Sequence, residues 1–197
     1  MFKIVVPLVL AATLVACGDD ADGGDTGDVA EFTYREMVVK IDDAVTVWEN
    51  ADTLAEAQAA AEAAANLVVG SGGPDYGDRD GNGNIDGDTE FGVLPGLDGS
   101  PVGLASALSE NPCIVADVLG GDWTDPAGQW ATMHTAIDAW TPDNNTMPSL
   151  ASHPMRIVGW ATFTLATDSL DEAREYGGHA ELHVNESLVA IDCAAGG

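Results

Sequence analysis

Asp78, Asp80, Asn82, Asn84 and Asp86 stand at alternate positions of one short run, Asp78-Arg79-Asp80-Gly81-Asn82-Gly83-Asn84-Ile85-Asp86-Gly87-Asp88-Thr89-Glu90. Alternating short acids and amides on a tightly wound loop point their oxygens inward, and an oxygen shell suits a hard cation. The same residues favour turns for reasons of their own, so the competing reading is a Gly/Asp/Asn-rich turn without an ion. A second stripe could do chemistry. Tyr176, His179, His183 and Glu186 recur at steps of three and four, which places them on one face of a helix. Two His at i and i+4, with a carboxylate beside them, suit a transition metal or a redox bundle; the competing reading is a solvated helix flank. His179 to His183 lacks the Glu placement of a zinc-protease helix, and no other helix offers the ExxH partner of a di-iron bundle. No Gly-x-Ser-x-Gly elbow is present, and the loop glycines are followed by no Lys that would make a phosphate cradle. These residues point to a binding or structural protein rather than an enzyme.

The run from Asp78 resembles the calcium loop of the EF-hand and dockerin-type families, in which ligands fall at positions 1, 3, 5, 7, 9 and 12. The resemblance implies a calcium ion held by Asp78, Asp80 and Asn82, by the backbone carbonyl of Asn84 and by Asp86. Gly83 takes the sharp turn and Ile85 the apolar position. The sequence departs from the family at position 12, which is Thr89. Glu90 comes one residue late, and either Asp88 or Glu90 stands in if the loop is irregular. The segment Phe91-Gly92-Val93-Leu94-Pro95-Gly96 does not read as the exiting helix of an EF-hand. The connection from Gly70 to Ser100 is long for a compact domain, which is a separate reason to expect an ion there.

Those ligands need elements to position them, and the chain provides one domain's worth. Of its 197 residues, Lys3 followed by the apolar run Ile4–Ala16 forms a short n-region and h-region. That run is too short to span a bilayer as a stable helix. It ends Leu14-Val15-Ala16-Cys17, which resembles the lipobox of bacterial lipoproteins. The resemblance implies a signal peptide over 1–16, lipid on Cys17 and a membrane anchor in the bacterial envelope. Gly18 leaves the inner-membrane retention Asp absent, so the outer membrane or cell surface is expected. Residues 17–30 read as the lipidated Cys and a disordered Gly/Asp tether, and 31–197 as one domain with the ion loop at 75–90. The net charge of −27, from 33 acids and 6 bases, excludes nucleic acid and anionic headgroups as partners. With Cys17 lipidated, Cys113 and Cys193 remain as one pair, and outside the cytoplasm a pair reads as a disulfide.

The body of the chain reads as helices. Tyr34, Met37, Val38, Ile41, Val45 and Trp48 recur at helical steps from about Glu31. Thr53 to Glu56 is a capping box, and Leu54 to Val69 follows as a helix with an Ala-rich face, ended by Gly70-Ser71-Gly72-Gly73-Pro74. A short helical piece spans Val102 to Leu108, and Asn111-Pro112 restarts a helix to Leu119. Asp125-Pro126 opens another to Trp140, with Trp130, Met133, Ile137 and Trp140 on its buried face. Ser152 and Pro154 open the next, burying Ile157, Trp160 and Phe163. Ser169 to Glu172 caps the last, whose seam is Leu170, Ala173, Gly177, Ala180, Val184, Ser187 and Ile191. Gly177-Gly178 inside that helix suggests a close helix crossing. No segment alternates as a half-buried strand would. The expected fold is all-α, a small bundle of four to six helices interrupted by the long Gly/Asp-rich loop.

Overall fold

The computed structural model describes residues 26–144 and 147–193, with side chains from residue 33. The expected signal peptide at 1–16, Cys17 and the expected tether as far as residue 25 lie outside the described residues. The fold is all helical, with no strand among the described residues. Five α-helices run in order: α1 (Thr26–Glu49), α2 (Leu54–Val69), α3 (Pro126–Ala139), α4 (His153–Ala166) and α5 (Leu170–Asp192). A 3-10 turn at Leu104–Leu108 and a π-helical turn at Ile114–Leu119 lie between α2 and α3. The first helix starts at Thr26, where the sequence pattern began near Glu31. Elongation adds one backbone hydrogen bond per residue, so a helix anchored downstream can extend past its apolar stripe.

The four expected N-caps form, though in neither capping box does the Glu return to the cap's own N–H. Thr53 Oγ1 accepts from Glu56 N, Asp125 Oδ1 from Gly128 N, Ser152 Oγ from Met155 N and Ser169 Oγ from Glu172 N. In the first box the Glu56 carboxylate reaches back to Asp52 N, one residue beyond the cap. The stretch at Asn111-Pro112 differs in pitch: it becomes a π-turn, and Asn111 Oδ1 caps it by accepting from Cys113 N and Ile114 N.

Four helices enclose the core in a ring, α1 against α2 and α5, and α4 against α2 and α5, with α3 at the side of α4. The apolar stripe of α1 from Tyr34 to Trp48 is buried along its whole length. Its two polar tips find backbone partners on α5. Tyr34 Oη donates to Ser187 O at 2.9 Å, and Trp48 Nε1 donates to Ala173 O at 2.7 Å. Each buried aromatic thus keeps its hydrogen bond while contributing its area to the core. The sulfurs of Cys113 and Cys193 lie within bonding distance, with Cα atoms 6.1 Å apart, joining the π-turn to the end of α5. Asn111 Nδ2 ties the same place by donating to Ala190 O and Ile191 O.

The two glycines of α5 separate sharply. A Cβ at Gly177 would stand 2.9 Å from both Cα and N of Glu49, on the backbone of α1, whereas one at Gly178 would meet only Glu49 Oε1 at 3.6 Å. Gly177 is therefore the close crossing that the sequence suggested, and Gly178 is not. Gly178→Ala should stabilise by up to about 1 kcal/mol through helix propensity. Gly177→Ala should destabilise by about 1–3 kcal/mol, because overpacking against backbone outweighs the same propensity gain. Urea unfolding of the two variants checks this; equal shifts of the same sign would remove the crossing argument.

Candidate metal site

The loop after α2 is irregular from Gly70 to Gly103 and follows the helix across its surface. Leu94 N donates to Val68 O and Val93 N to Leu67 O, while Val93 and Leu94 are buried in the core. Gly70, at φ +62, allows the chain to double back. A Cβ there would lie 2.3 Å from Gly92 N. No helix leads out of the loop at Phe91–Gly96, as the sequence indicated, so a paired-helix EF-hand is not formed.

Two side chains of α2 hold the loop. Glu62 is fully buried. Its Oε2 accepts from Arg79 N at 2.5 Å and Asp80 N at 2.9 Å, and its Oε1 accepts from Asp86 N at 2.9 Å. One turn on, Asn66 donates from Nδ2 to Gly77 O and Asp86 O and accepts at Oδ1 from Gly77 N. Gly87 lets the chain pass over the helix at this point, since a Cβ there would lie 2.4 Å from Ala63 O. Buried polar groups need such partners, and here the polar groups of helix and loop satisfy one another.

Within the loop the acids wind the backbone. Asp78 accepts from Gly81 N at 2.9 Å and Gly83 N at 3.0 Å. Asp80 accepts from Asn82 N and Asn82 Nδ2, and that same Nδ2 donates to Asp86 Oδ2 at 2.8 Å. Asn82 Oδ1 accepts from Asn84 N at 2.7 Å. Gly81, Gly83 and Gly87 all adopt positive φ, which relieves the steric cost of these turns.

Carboxylate oxygens of Glu62, Asp78 and Asp80 lie within 4.8 Å of one another. Oxygens bound to one calcium at 2.3–2.6 Å can be no more than about 5.2 Å apart, so this group fits around such an ion. Glu62 has about four acceptor lone pairs and gives three to backbone N–H groups, leaving one for a cation. Two unit charges about 4 Å apart repel by roughly 1 kcal/mol in water and roughly 4 kcal/mol at an effective dielectric of 20. A divalent cation would relieve that repulsion.

The other candidate ligands take different places. Asn82 and Asp86 border the group of three through the shared amide, and Asn84 joins them only through its backbone N–H. Glu90 lies outside the group: its side chain is exposed, and its carbonyl accepts from Ser71 N and Oγ. Asp88 accepts from the phenol of Tyr76. The third carboxylate of the group comes from Glu62, which the sequence reading did not single out. Gln58, Glu62 and Asn66 form an i, i+4, i+8 polar line beside the Ala face of α2. All three bond to backbone outside the helix, Gln58 to Thr164 O and Thr167 O. A polar line of that spacing in an Ala-rich helix was the available signal.

The histidine stripe of α5 does not form a single site. His179 is exposed and stacks on Trp160, ring centroids 4.5 Å apart, at the edge of an aromatic cluster with Trp140, Phe163 and Tyr176. His183 turns instead to His153, the first residue of α4, with their Nδ1 atoms 3.0 Å apart. Burial, with Arg156, His153 and His179 around it, pushes His183 down to about 3. Burial and Arg156 also lower His153, against Glu186 and Asp117. His134 bonds Asp75 at 2.8 Å on α3 and takes no part in either cluster.

No protein-family model matches this chain, and no curated protein or solved structure matches it. Among the described residues no helix is long and apolar enough to cross a membrane.

Proposed function

We propose that this is a lipid-anchored, extracytoplasmic protein whose helical domain is stabilised by one calcium ion and serves as a binding or structural module at the bacterial cell surface. The observation that supports it best is the convergence of Glu62, Asp78 and Asp80 on a loop with the DxDxNG pattern. Asp78, Asp80, Asn82 and Asp86 are the loop ligands in this reading, with the Asn84 carbonyl beside them, and Glu62 supplies the place left by Thr89. The ion would be held constitutively, because weak oxygen sites suit the high calcium outside the cell. No catalytic residue is assigned.

Two measurements test the two halves. Equilibrium dialysis of purified protein should show one calcium bound per chain, with magnesium weaker, and an Asp78→Ala, Asp80→Ala variant should bind none. Saturable binding in that variant would refute the site. The anchor rests on Leu14-Val15-Ala16-Cys17 following the apolar run. Several acyl chains on one residue give stable membrane attachment. Cys17→Ser should move the protein from the membrane to the soluble fraction and abolish fatty-acid labelling. A variant that fractionates and labels as wild type does would refute the anchor.

A further inference from the structure

We propose that His153 and His183 form a binding site for a divalent transition-metal ion, zinc or copper, between the start of α4 and the middle of α5. This does not rest on the calcium reading, which uses oxygen ligands elsewhere. The two Nδ1 atoms face each other at 3.0 Å, and the rings are inclined at 59°. Imidazole nitrogens bound at 2.0–2.1 Å lie about 2.9 Å apart as cis ligands of a square or octahedral centre and about 3.4 Å apart in a tetrahedron. The observed pair is therefore already spaced as two ligands on one ion. It sits on two packed helices rather than on a loop, so little reorganisation is required.

The rings are already in the form that ligates. Both imidazoles stay uncharged near neutral pH, and a neutral ring keeps a lone pair for a metal. In the metal-free protein one Nδ1–H donates to the other Nδ1. On binding, that ring would carry its proton at Nε2, so both Nδ1 atoms face the ion and no net proton is lost. Asp117 on the π-turn and Glu186 on α5 attract positive charge at His153, and Arg156 on α4 opposes them. At His183 the neighbouring charges, Arg156 first, all oppose positive charge, so the ion must be held by its bonds to the two nitrogens rather than by the local field. Among the described residues no carboxylate joins the two imidazoles as a compact third ligand. The remaining positions on the ion therefore belong to water or to an outside ligand, which makes this an open site.

The site differs from one built on His179, His183 and Glu186, because His179 is taken up by Trp160. The test titrates purified full-length protein with zinc at neutral pH in about 10 mM calcium, which fills weak carboxylate sites first. Zinc should bind saturably at one equivalent. His183→Ala and His153→Ala should each weaken it about tenfold or more, since even an outer-shell loss costs that much. His179→Ala should leave it unchanged. Copper bound to the wild type should show coupling to two imidazole nitrogens by electron paramagnetic resonance, a reading that needs no variant to fold. Absence of saturable zinc binding, copper without two nitrogen couplings, or a His179→Ala loss equal to that of His183→Ala would each overturn the proposal.

Discussion

Glu62→Ala is expected to cost about 3–5 kcal/mol, because it orphans three part-buried backbone donors at roughly 1–3 kcal/mol each. Three backbone N–H groups, those of Arg79, Asp80 and Asp86, lose their acceptor together. Each hydrogen bond to a charged acceptor is worth roughly 1.5–3 kcal/mol, yet the three losses should not add fully. The loop can lift from α2 and let water reach the freed groups, so the cost is capped by the energy of detaching the loop. Glu62→Gln should fall between wild type and Glu62→Ala, because one amide oxygen remains and the amide nitrogen cannot accept. Urea unfolding of both variants in chelator measures this without any ion. A Glu62→Ala cost under about 1 kcal/mol would mean that the loop is held by its other contacts, Asn66 and the Val93-Leu94 segment.

The second large effect concerns Cys113 and Cys193. The pair closes a sequence separation of 80 residues, which the chain-entropy estimate values at about 4 kcal/mol. For a domain of this size that corresponds to a loss of roughly 8–16 °C in melting temperature on replacing both with Ser. Asn111 bridges the same two elements, so the π-turn should stay docked on α5 in the native state, and the loss should come mainly from a freer unfolded chain. Peptide mapping of unreduced protein should give a linked 113–193 pair. Two thiols open to alkylation in native protein would contradict it.

Much of the helical frame is readable from local signals. The bounds of α2 follow from Thr53 and Gly70, and every seam residue of α5 from Ala173 to Ile191 is buried. These succeed because caps and helical periodicity act within a few residues. Glu62 was not legible in the same way. A calcium-loop pattern is a contiguous run, whereas the third carboxylate of the group comes from a helix 16 residues before Asp78 (78 minus 62). Burial of a lone acid among alanines is a tertiary fact, set by the loop that folds onto it. The His153–His183 pair lay hidden for the same reason: its members are 30 residues apart and on different helices. Helical spacing alone favoured His179 and His183, and packing against Trp160 separated them.

Calcium-dependent melting tests the central claim most directly. An ion that binds only the folded state stabilises by about 2.7 kcal/mol when free calcium is a hundredfold above its dissociation constant. With a dissociation constant near 0.1 mM and free calcium near 10 mM, wild-type protein should melt about 5–10 °C higher than in chelator. Magnesium should raise it less, and the Asp78→Ala, Asp80→Ala variant should melt at one temperature in both. A wild-type melting curve that stays in place between chelator and calcium would contradict the account and leave the loop as an ion-free turn clamped by Glu62.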